Sequence, residues 1–499
     1  MNYRSMLVML LFLAIPAQSQ LSLVPSPQEW QLKSQSFMPD TLVVLEFDKT
    51  QPALQTLTQT LRRDLADLGF SASTVPVASG QASVIELSLA DDPDVPPEGY
   101  RLTIDSAVAL SAPTEKGLFW GTRTLLQLFE SGPGYSVPQL EIMDYPKFEY
   151  RSLLIDNARR FHSLQFHKDM VKKLSGFKLN RYHIHFSDNE SYTLPSAAFP
   201  DLPTENRHFT RAQVDELVRT AKEYHVAIVP EIDVPGHSGT LNFKIPELLC
   251  TDAPRDTLVK KICIGAESTY ATLETLFAEI MDMFPGEYWH LGADEVSYDD
   301  LECQACLQRL QQENLQDGGQ LFHYFINRMH DFVKNRGRTM LVWEGFDPHG
   351  EPVVHKDILV CPFDVKWEGH MPHDYMDAGY RLLNTAWTPL YISSKIYMTT
   401  PEIMARWTPF MFGAGRAPQP FKYWQKYDPE EVRDKIIGAQ MCSWENLEKA
   451  EMGLFFGTGP GFPDHGRPAP RLQIMAERVW SGNQVSAKTL LERLGEAYW

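Results

Sequence analysis

The sequence predicts an α/β protein in which a (β/α)8 TIM barrel follows a smaller α+β domain, and three observations carry that expectation. From Tyr150 onward, short apolar runs alternate with segments of helical periodicity, the pattern of βαβ units and a parallel sheet. Eight such runs can be read, enough to close a barrel. Polar residues collect just after the runs, at the strand ends where barrel active sites are built. A chain of 499 residues has room for a barrel of ~250 residues or more and one accessory domain.

Residues 1–20 read as a secretory signal, with Arg4, the apolar core Met6–Ile15, then Pro16 and the small-residue site Ala17-Gln18-Ser19. Export to the periplasm or the extracellular space is expected. The apolar core is too short to span a bilayer, and no later stretch is long and apolar enough, so no membrane partner is expected. No Cys follows the leader directly and no retention tail ends the chain at Trp499. Residues 21–143 read as a non-catalytic α+β domain. Its strands are expected at Thr41–Phe47, Val84–Ala90, Gly99–Ile104 and Ala107–Ser111, and its helices at Gln51–Leu68 and Thr114–Phe129.

Residues 144–499 hold the barrel. Its strands are expected at Ser152–Asp156, Arg181–Phe186, Ala227–Ile232, Tyr288–Leu291, Thr339–Val342, Ile358–Cys361, Leu382–Thr385 and Ala439–Ser443. Thr210 and Gln213 form a capping box ahead of the stripe Val214, Leu217, Val218 and Ala221, which should pack on the barrel. Gly457–Pro470 is a Gly/Pro-rich loop before a last helix at Arg471–Trp480.

The formal net charge is −18, and loss of the leader with its one charged residue, Arg4, takes it to −19. That balance argues against nucleic acid and anionic membranes as partners. Six cysteines, at 250, 263, 303, 306, 361 and 442, are too few for a disulfide scaffold in so long a chain. Cys303-Gln-Ala-Cys306 has the spacing of a zinc half-site, but with no second Cys-x-x-Cys it reads as a local disulfide or two free thiols.

The chemistry is expected around His290-Leu-Gly-Ala-Asp294-Glu295. Two adjacent carboxylates following an apolar run can both meet solvent or ligand only where the strand ends. A carboxylic acid beside a like charge can keep its proton near neutral pH and give it to a leaving group. An Asp-Glu pair alone would favour a plainer reading, with Asp294 capping the following helix and Glu295 in its solvated first turn. Its company favours the catalytic reading: Asp156-Asn-Ala-Arg159 ends the first run, and His183-Ile-His185 with Asp188 the second. Glu231-Ile-Asp-Val-Pro-Gly-His237 follows the third, Trp343-Glu344 the fifth, Trp387 and Tyr391 the seventh, and Trp444-Glu445 the eighth. Aromatics beside carboxylates suit a sugar, whose ring offers apolar faces and a rim of hydroxyls.

In these motifs the chain resembles the family 20 glycoside hydrolases, the β-N-acetylhexosaminidases. Pro230-Glu-Ile-Asp-Val-Pro-Gly-His237, His290–Glu295 and Ala476-Glu-Arg-Val-Trp480 are the specific signatures. Glu98-Gly-Tyr-Arg101 and the Gly117–Leu128 helix look like the family's N-terminal domain, and Asp144-Tyr-Pro146 with Arg151 like the start of its barrel. The resemblance implies removal of terminal β-linked GlcNAc or GalNAc from N-acetylhexosamine-terminated glycans, with no metal or other cofactor. It implies a retaining mechanism in which the substrate's own 2-acetamido oxygen attacks the anomeric carbon to form an oxazolinium ion. Glu295 would then be the acid and later the base, Asp294 the partner of the acetamide N–H, and His237 with Asp188 the pair that tunes Glu295. Tyr391 would donate to the acetamide oxygen, Trp343, Trp387 and Trp444 would wall the pocket, and Arg151 would bind ring hydroxyls.

The chain departs from the family pattern at Ala293, Ser152 and Asn189. It also does so at Ser393 and Asn446, where many members carry acids for the outer hydroxyls. Glu445 is expected to take over one of those roles, and the choice between gluco, galacto and 6-substituted sugars stays open. Two other readings compete. A metal-dependent hydrolase would use His183, His185 and His237, but the later strand ends offer mainly Trp rather than further ligands. A non-catalytic sugar-binding protein would leave the acid and its supporting pair without purpose.

Overall fold

The computed structural model describes residues 21–75, 82–250, 261–298, 301, 303–364, 370–393, 399–413, 421–444 and 470–497. The leader-like segment, Glu445, Asn446 and most of the Gly457–Pro470 loop lie outside the described residues.

The barrel strands, first to eighth in chain order, are Tyr150–Asp156, Arg181–His185, Ala227–Glu231, Tyr288–His290, Thr339–Trp343, Leu359–Cys361, Arg381–Asn384 and Ile436–Ser443. Each pairs in parallel with the next, and the eighth pairs with both the seventh and the first, so the sheet is a closed (β/α)8 barrel. All eight lie within a residue or two of the sequence expectation, except that the eighth starts earlier, at Ile436. There Gly438 takes a φ of 155° and passes so close to Tyr150 that a Cβ would meet its carbonyl oxygen at 1.8 Å.

The helix Arg211–Glu223 begins with the expected reciprocal cap between Thr210 and Gln213 and buries Val214, Leu217 and Ala221.

The N-terminal domain is a seven-stranded sheet in the spatial order Glu29–Phe37, Val137–Asp144, Tyr100–Ile104, Val108–Ala112, Ser83–Leu89, Leu42–Phe47, Ser71–Ser73. Helices Pro52–Asp67 and Glu115–Leu128 pack with it. Three of these strands were not expected from sequence. Glu29–Phe37 is an edge strand with only Phe37 buried, so it shows no apolar alternation. Val137–Asp144 carries a Pro, and Ser71–Ser73 is too short to show a period.

A buried polar interface joins the two domains at the N-terminal end of the barrel. Asp144 accepts from the Tyr100 hydroxyl at 2.6 Å, Lys178 Nζ at 2.7 Å and Trp480 Nε1 at 2.9 Å. Glu98 accepts from Arg151 at 2.7 Å, Lys116 at 2.8 Å and Trp120 Nε1 at 3.1 Å. The Arg151 guanidinium also stacks against Trp480, 5.0 Å from its ring. Burial alone would raise the Glu98 carboxyl, but Arg151 and Lys116 outweigh it and hold it down at about 2.

Arg151 therefore does not bind the ring hydroxyls of a sugar, and that expectation is corrected. It precedes the first strand's apolar stretch, so it lies at the opposite barrel end from the acids, where it donates to Phe148 O, Lys178 O and Glu98. Glu98 keeps Lys116 and Trp120 when Arg151 is lost, so the cost falls below that of a fully unpaired buried charge, at ~2–3 kcal/mol. Arg151→Met is accordingly expected to lower the unfolding free energy by about that amount while leaving sugar affinity unchanged. Urea titration and ligand calorimetry on the same preparation check both halves, and weakened binding at undiminished stability would return Arg151 to the pocket.

Candidate active site

The fourth strand stops at His290, and the chain then turns through a run of left-handed residues: Gly292 at φ 80°, Ala293 at 73° and Glu295 at 48°. Only glycine fits at 292, because a Cβ there would lie 1.9 Å from Asp233 Oδ1. The same Asp233 oxygen accepts from Ala293 N at 3.2 Å and so holds the turn. Left-handed backbone costs a non-glycine residue roughly 1–2 kcal/mol, and Ala293, Glu295 and His237 (φ 48°) all adopt it. The turn separates the two carboxylates by environment. The Asp294 side chain is 14% exposed and that of Glu295 47%.

Both acids face a cavity of about 370 Å³ at the C-terminal end of the barrel. Its other lining residues are Arg159, His185, Asn189, Glu190, Asp233, His237, Phe363, Trp387, Tyr391, Ser393 and Trp444. Larger clefts exist at Glu149, Arg381 and Ile436, where strands begin, and beside Lys116 and His225 between the domains. The first holds Glu149 and Asp434 with Phe148 and Phe410 but lies at the barrel end where strands begin, and the second has no carboxylate, so position and chemistry rather than size select the smaller cavity. Phe363 stacks parallel to Tyr391 with 6.3 Å between ring centres, Trp387 lies 5.5 Å from Tyr391, and Trp444 lies 5.9 Å from Tyr391.

Behind this wall runs a chain of buried polar contacts. Glu231, at the end of the third strand, accepts from His185 Nδ1 at 2.6 Å and Trp343 Nε1 at 2.7 Å, and lies 3.1 Å from His183 and 3.2 Å from His290. His185 Nε2 donates to Asp188 at 2.8 Å. Asp188 pairs with Arg159 at 2.6 Å and with His237 Nδ1 at 3.3 Å, and His237 Nε2 reaches Glu295 at 3.3 Å. Burial works against ionisation of Asp188, yet His185, His237 and Arg159 hold its carboxyl well below the usual range. Burial likewise opposes charge on His237, but Asp233, Asp188 and Glu295 push it up to about 12. Asp294 moves the other way. Burial, with Glu231 and Glu295 adding like charge, raises it to about 6 although His237 opposes the change.

Of the residues singled out from sequence, Glu295, Asp294, His237, Tyr391, Trp387 and Trp444 line one cavity, with Asp188 buried directly behind. Trp343 does not wall the pocket. It is 1% exposed and lies beneath Trp444, 6.0 Å between rings, because its indole N–H is drawn to buried Glu231. Glu445 and Asn446 lie outside the described residues. Ser393 lines the cavity, and Asn189 accepts from Gly239 N at 3.0 Å. Sequence reasoning missed Arg159, Glu190, Asp233 and Phe363 as pocket residues. Arg159 had a signal, since it closes the polar run after the first strand.

The arrangement speaks against His183, His185 and His237 as metal ligands. Both ring nitrogens of His185 bond to carboxylates, and Glu231, Asp188 and Asp156 raise its pKa well above the ordinary value against the opposing effect of burial. A doubly protonated imidazole has no lone pair for a metal.

Compared with known proteins, residues 148–483 match glycosyl hydrolase family 20, catalytic domain, and residues 20–145 match domain 2 of the same family. The beta-hexosaminidase of Porphyromonas gingivalis is 28% identical over 356 residues, covering 65% of this chain, and the chain spans only 45% of that relative's length. Beta-hexosaminidase subunit A2 of Dictyostelium discoideum is 26% identical over 438 residues, 84% of this chain and 76% of the relative. Among solved structures, the beta-N-acetylhexosaminidase of Bacteroides fragilis superposes with a TM-score of 0.76 at 20% identity, covering 95% of this chain and 94% of the other. The exo beta-N-acetylglucosaminidase of Vibrio harveyi in complex with N-acetylglucosamine gives 0.75 at 21%, covering 95% and 76%.

Asp188 is one of the carboxylates that keep His237 charged, so its loss lets the imidazole release its proton more readily. Asp188→Asn is expected to move the alkaline limb of turnover to lower pH by ~1–3 units. A pH profile of kcat/KM on folded protein checks this, and an unshifted limb would reduce Asp188 to a structural role.

Proposed function

The chain belongs to glycosyl hydrolase family 20, and on that premise we propose that it is an exo-acting β-N-acetylhexosaminidase. It removes terminal β-linked GlcNAc or GalNAc with retention of configuration, by attack of the substrate's own acetamide. The observation that carries this reading is the unlike setting of two neighbouring carboxylates. Asp294 is mostly covered, and its Oδ1 is buried with no hydrogen-bond donor among the described residues, whereas the Glu295 side chain is about half exposed to the cavity. A buried acceptor without a donor is costly, and a substrate N–H arriving there relieves that cost.

In the proposed cycle the terminal sugar stacks on Trp444 and fits its acetamide between Asp294 and the Tyr391 hydroxyl. The acetamide oxygen attacks the anomeric carbon as the glycosidic oxygen departs with the proton of Glu295. Asp294 accepts the N–H of the resulting oxazolinium and balances its positive charge. Glu295, now a carboxylate, takes a proton from water as that water attacks the same carbon, and the ring reopens to the acetamide. His237 Nε2, 3.3 Å from Glu295, holds the acid in position beside Asp294.

Of the other carboxylates at the cavity, Glu190 is half exposed and pairs with Arg159 at 3.8 Å. Glu344 is buried, with Oε1 accepting from Phe363 N at 3.0 Å and from Asp364 N, and Asp233 braces the turn. A cavity of about 370 Å³ at the small end of ligand pockets suits one terminal sugar rather than the middle of a chain. The pattern of residues 1–20 supports action outside the cytoplasm, on N-acetylhexosamine-terminated glycans.

Glu295→Gln keeps the shape of the pocket but carries no transferable proton. Turnover is expected to fall by ~10² to 10⁴ on poor leaving groups and much less on activated aryl glycosides. The β-glucoside, lacking the acetamide, should be almost inert, and a thiazoline mimic of the oxazolinium should bind far more tightly than product. Efficient glucoside cleavage, or a glycosyl ester trapped on the protein, would overturn substrate assistance.

Asp294 needs its charge to balance the oxazolinium. With its pKa raised to about 6, kcat/KM should fall as pH drops through that value, because the protonated form predominates below it. Asp294→Asn should be slow and should lose that acidic limb. Retention of the limb in the variant would assign it to another group.

A further inference from the structure

We propose that Cys250, Cys263, Cys303 and Cys306 form a four-thiolate site for a structural zinc ion that fastens the loop carrying His237 to the loop carrying Asp294 and Glu295. Their four sulfur atoms all lie within 4.8 Å of one another, with Cys263 Sγ 3.5 Å from Cys303 Sγ and 3.9 Å from Cys306 Sγ. A tetrahedron of sulfurs with zinc–sulfur bonds of ~2.3 Å has edges of ~3.8 Å. Disulfide partners stand at ~2.05 Å, and two disulfides would sort four sulfurs into separate pairs rather than one even cluster. None of the six cysteines is in a disulfide, so of the two readings of Cys303 and Cys306, a local disulfide or free thiols, the structure has the second.

The backbone around the cluster is arranged to hold thiolates. Cys303 is the N-cap of the helix Gln304–Gln312 and Cys306 lies in its first turn, where the helix dipole favours negative charge. The Gly265 and Ala266 amides bond to Cys263, and the Cys306 amide bonds to Cys303. Gly265 runs so close to this turn that a Cβ would sit 2.4 Å from Cys306 N. Cys263, Cys303 and Cys306 are buried and Cys250 is half-buried, so no fourth position is left for water, as in a structural rather than a catalytic zinc site.

The residues beside Cys263 are bonded to both catalytic loops. Ile262 N donates to Pro235 O at 2.9 Å, two residues before His237. Tyr298 OH donates to Ile262 O at 2.8 Å, and Lys261 Nζ to Ser297 O at 2.8 Å, just after Glu295. An ion held by the four sulfurs would therefore tie the positioning imidazole to the proposed acid across more than fifty residues of sequence.

The test is metal analysis of the purified full-length protein, which does not depend on what sugar the pocket accepts. About one zinc per chain should survive dialysis against EDTA and be released when a mercurial titrates the thiols. Protein produced in cobalt should show the sulfur-to-cobalt charge-transfer bands of a tetrahedral thiolate site. Cys306→Ser should lose the metal and unfold at lower temperature. Stoichiometric zinc with the cobalt spectrum supports the proposal even if that variant does not fold. Wild-type protein without bound metal, or peptide mapping that finds disulfides among these four residues, overturns it.

Discussion

The carboxylate of Glu231 is the point on which the rest of the site depends. It is wholly buried inside the barrel, and an ion so placed persists only if partners surround it. His183, His185, His290 and Trp343 supply that surrounding from the second, fourth and fifth strands, while Glu231 itself ends the third. Burial would raise this carboxyl, but His185, His290 and His183 hold it well below the usual range. The partners do not share the charge equally. His290 is driven down to about 4, chiefly by burial, and stays neutral at physiological pH, whereas His185 is held charged. The positive charge thus sits on the histidine nearer the cavity, and from there the contacts pass through Asp188 to Arg159, His237 and Glu295.

Stability and chemistry occupy opposite ends of the same barrel. At the N-terminal end, Asp144, Glu98, Arg151, Lys178 and Trp480 weld the accessory domain to the strands through paired buried charges and stacked aromatics. At the C-terminal end the backbone adopts costly left-handed conformations at His237, Ala293 and Glu295. Strain of that kind persists only where the surroundings over-determine it. Asp233 bonding to Ala293 N and the close approach at Gly292 provide that determination locally. A well-packed far end makes it affordable for the fold as a whole.

The barrel was legible in the sequence because its strands are buried apolar runs set off by polar strand ends, and that signal is local. The edge strand Glu29–Phe37 was not legible, because a solvent-exposed edge needs no apolar alternation. Arg151 and Arg159 show the limit of motif reading most clearly. Arg151 sits at the start of the first strand and Arg159 just beyond its end, so the rule that barrel sites form at C-terminal strand ends favours Arg159. What Arg151 binds is Glu98, 53 positions away in another domain, and no local pattern carries that information. Trp343 was misplaced for a related reason, since its partner Glu231 comes from a different strand. The cysteine cluster escaped notice because one half of it, Cys250 and Cys263, has no recognisable spacing.

Adjacency of Asp294 and Glu295 was visible from the start, but the difference between them was not. Consecutive residues on a regular strand would point to opposite faces and only one could reach a ligand. The left-handed turn breaks that alternation and presents both to one cavity, one sunk and one raised. Two carboxylates on opposite walls of a pocket leave room for an enzyme nucleophile facing an acid. Two on the same turn leave the far side of the anomeric carbon unserved, and in the mechanism proposed above the group that fills that place is the sugar's own acetamide. The backbone conformation of four residues therefore bears directly on the kind of nucleophile the reaction uses.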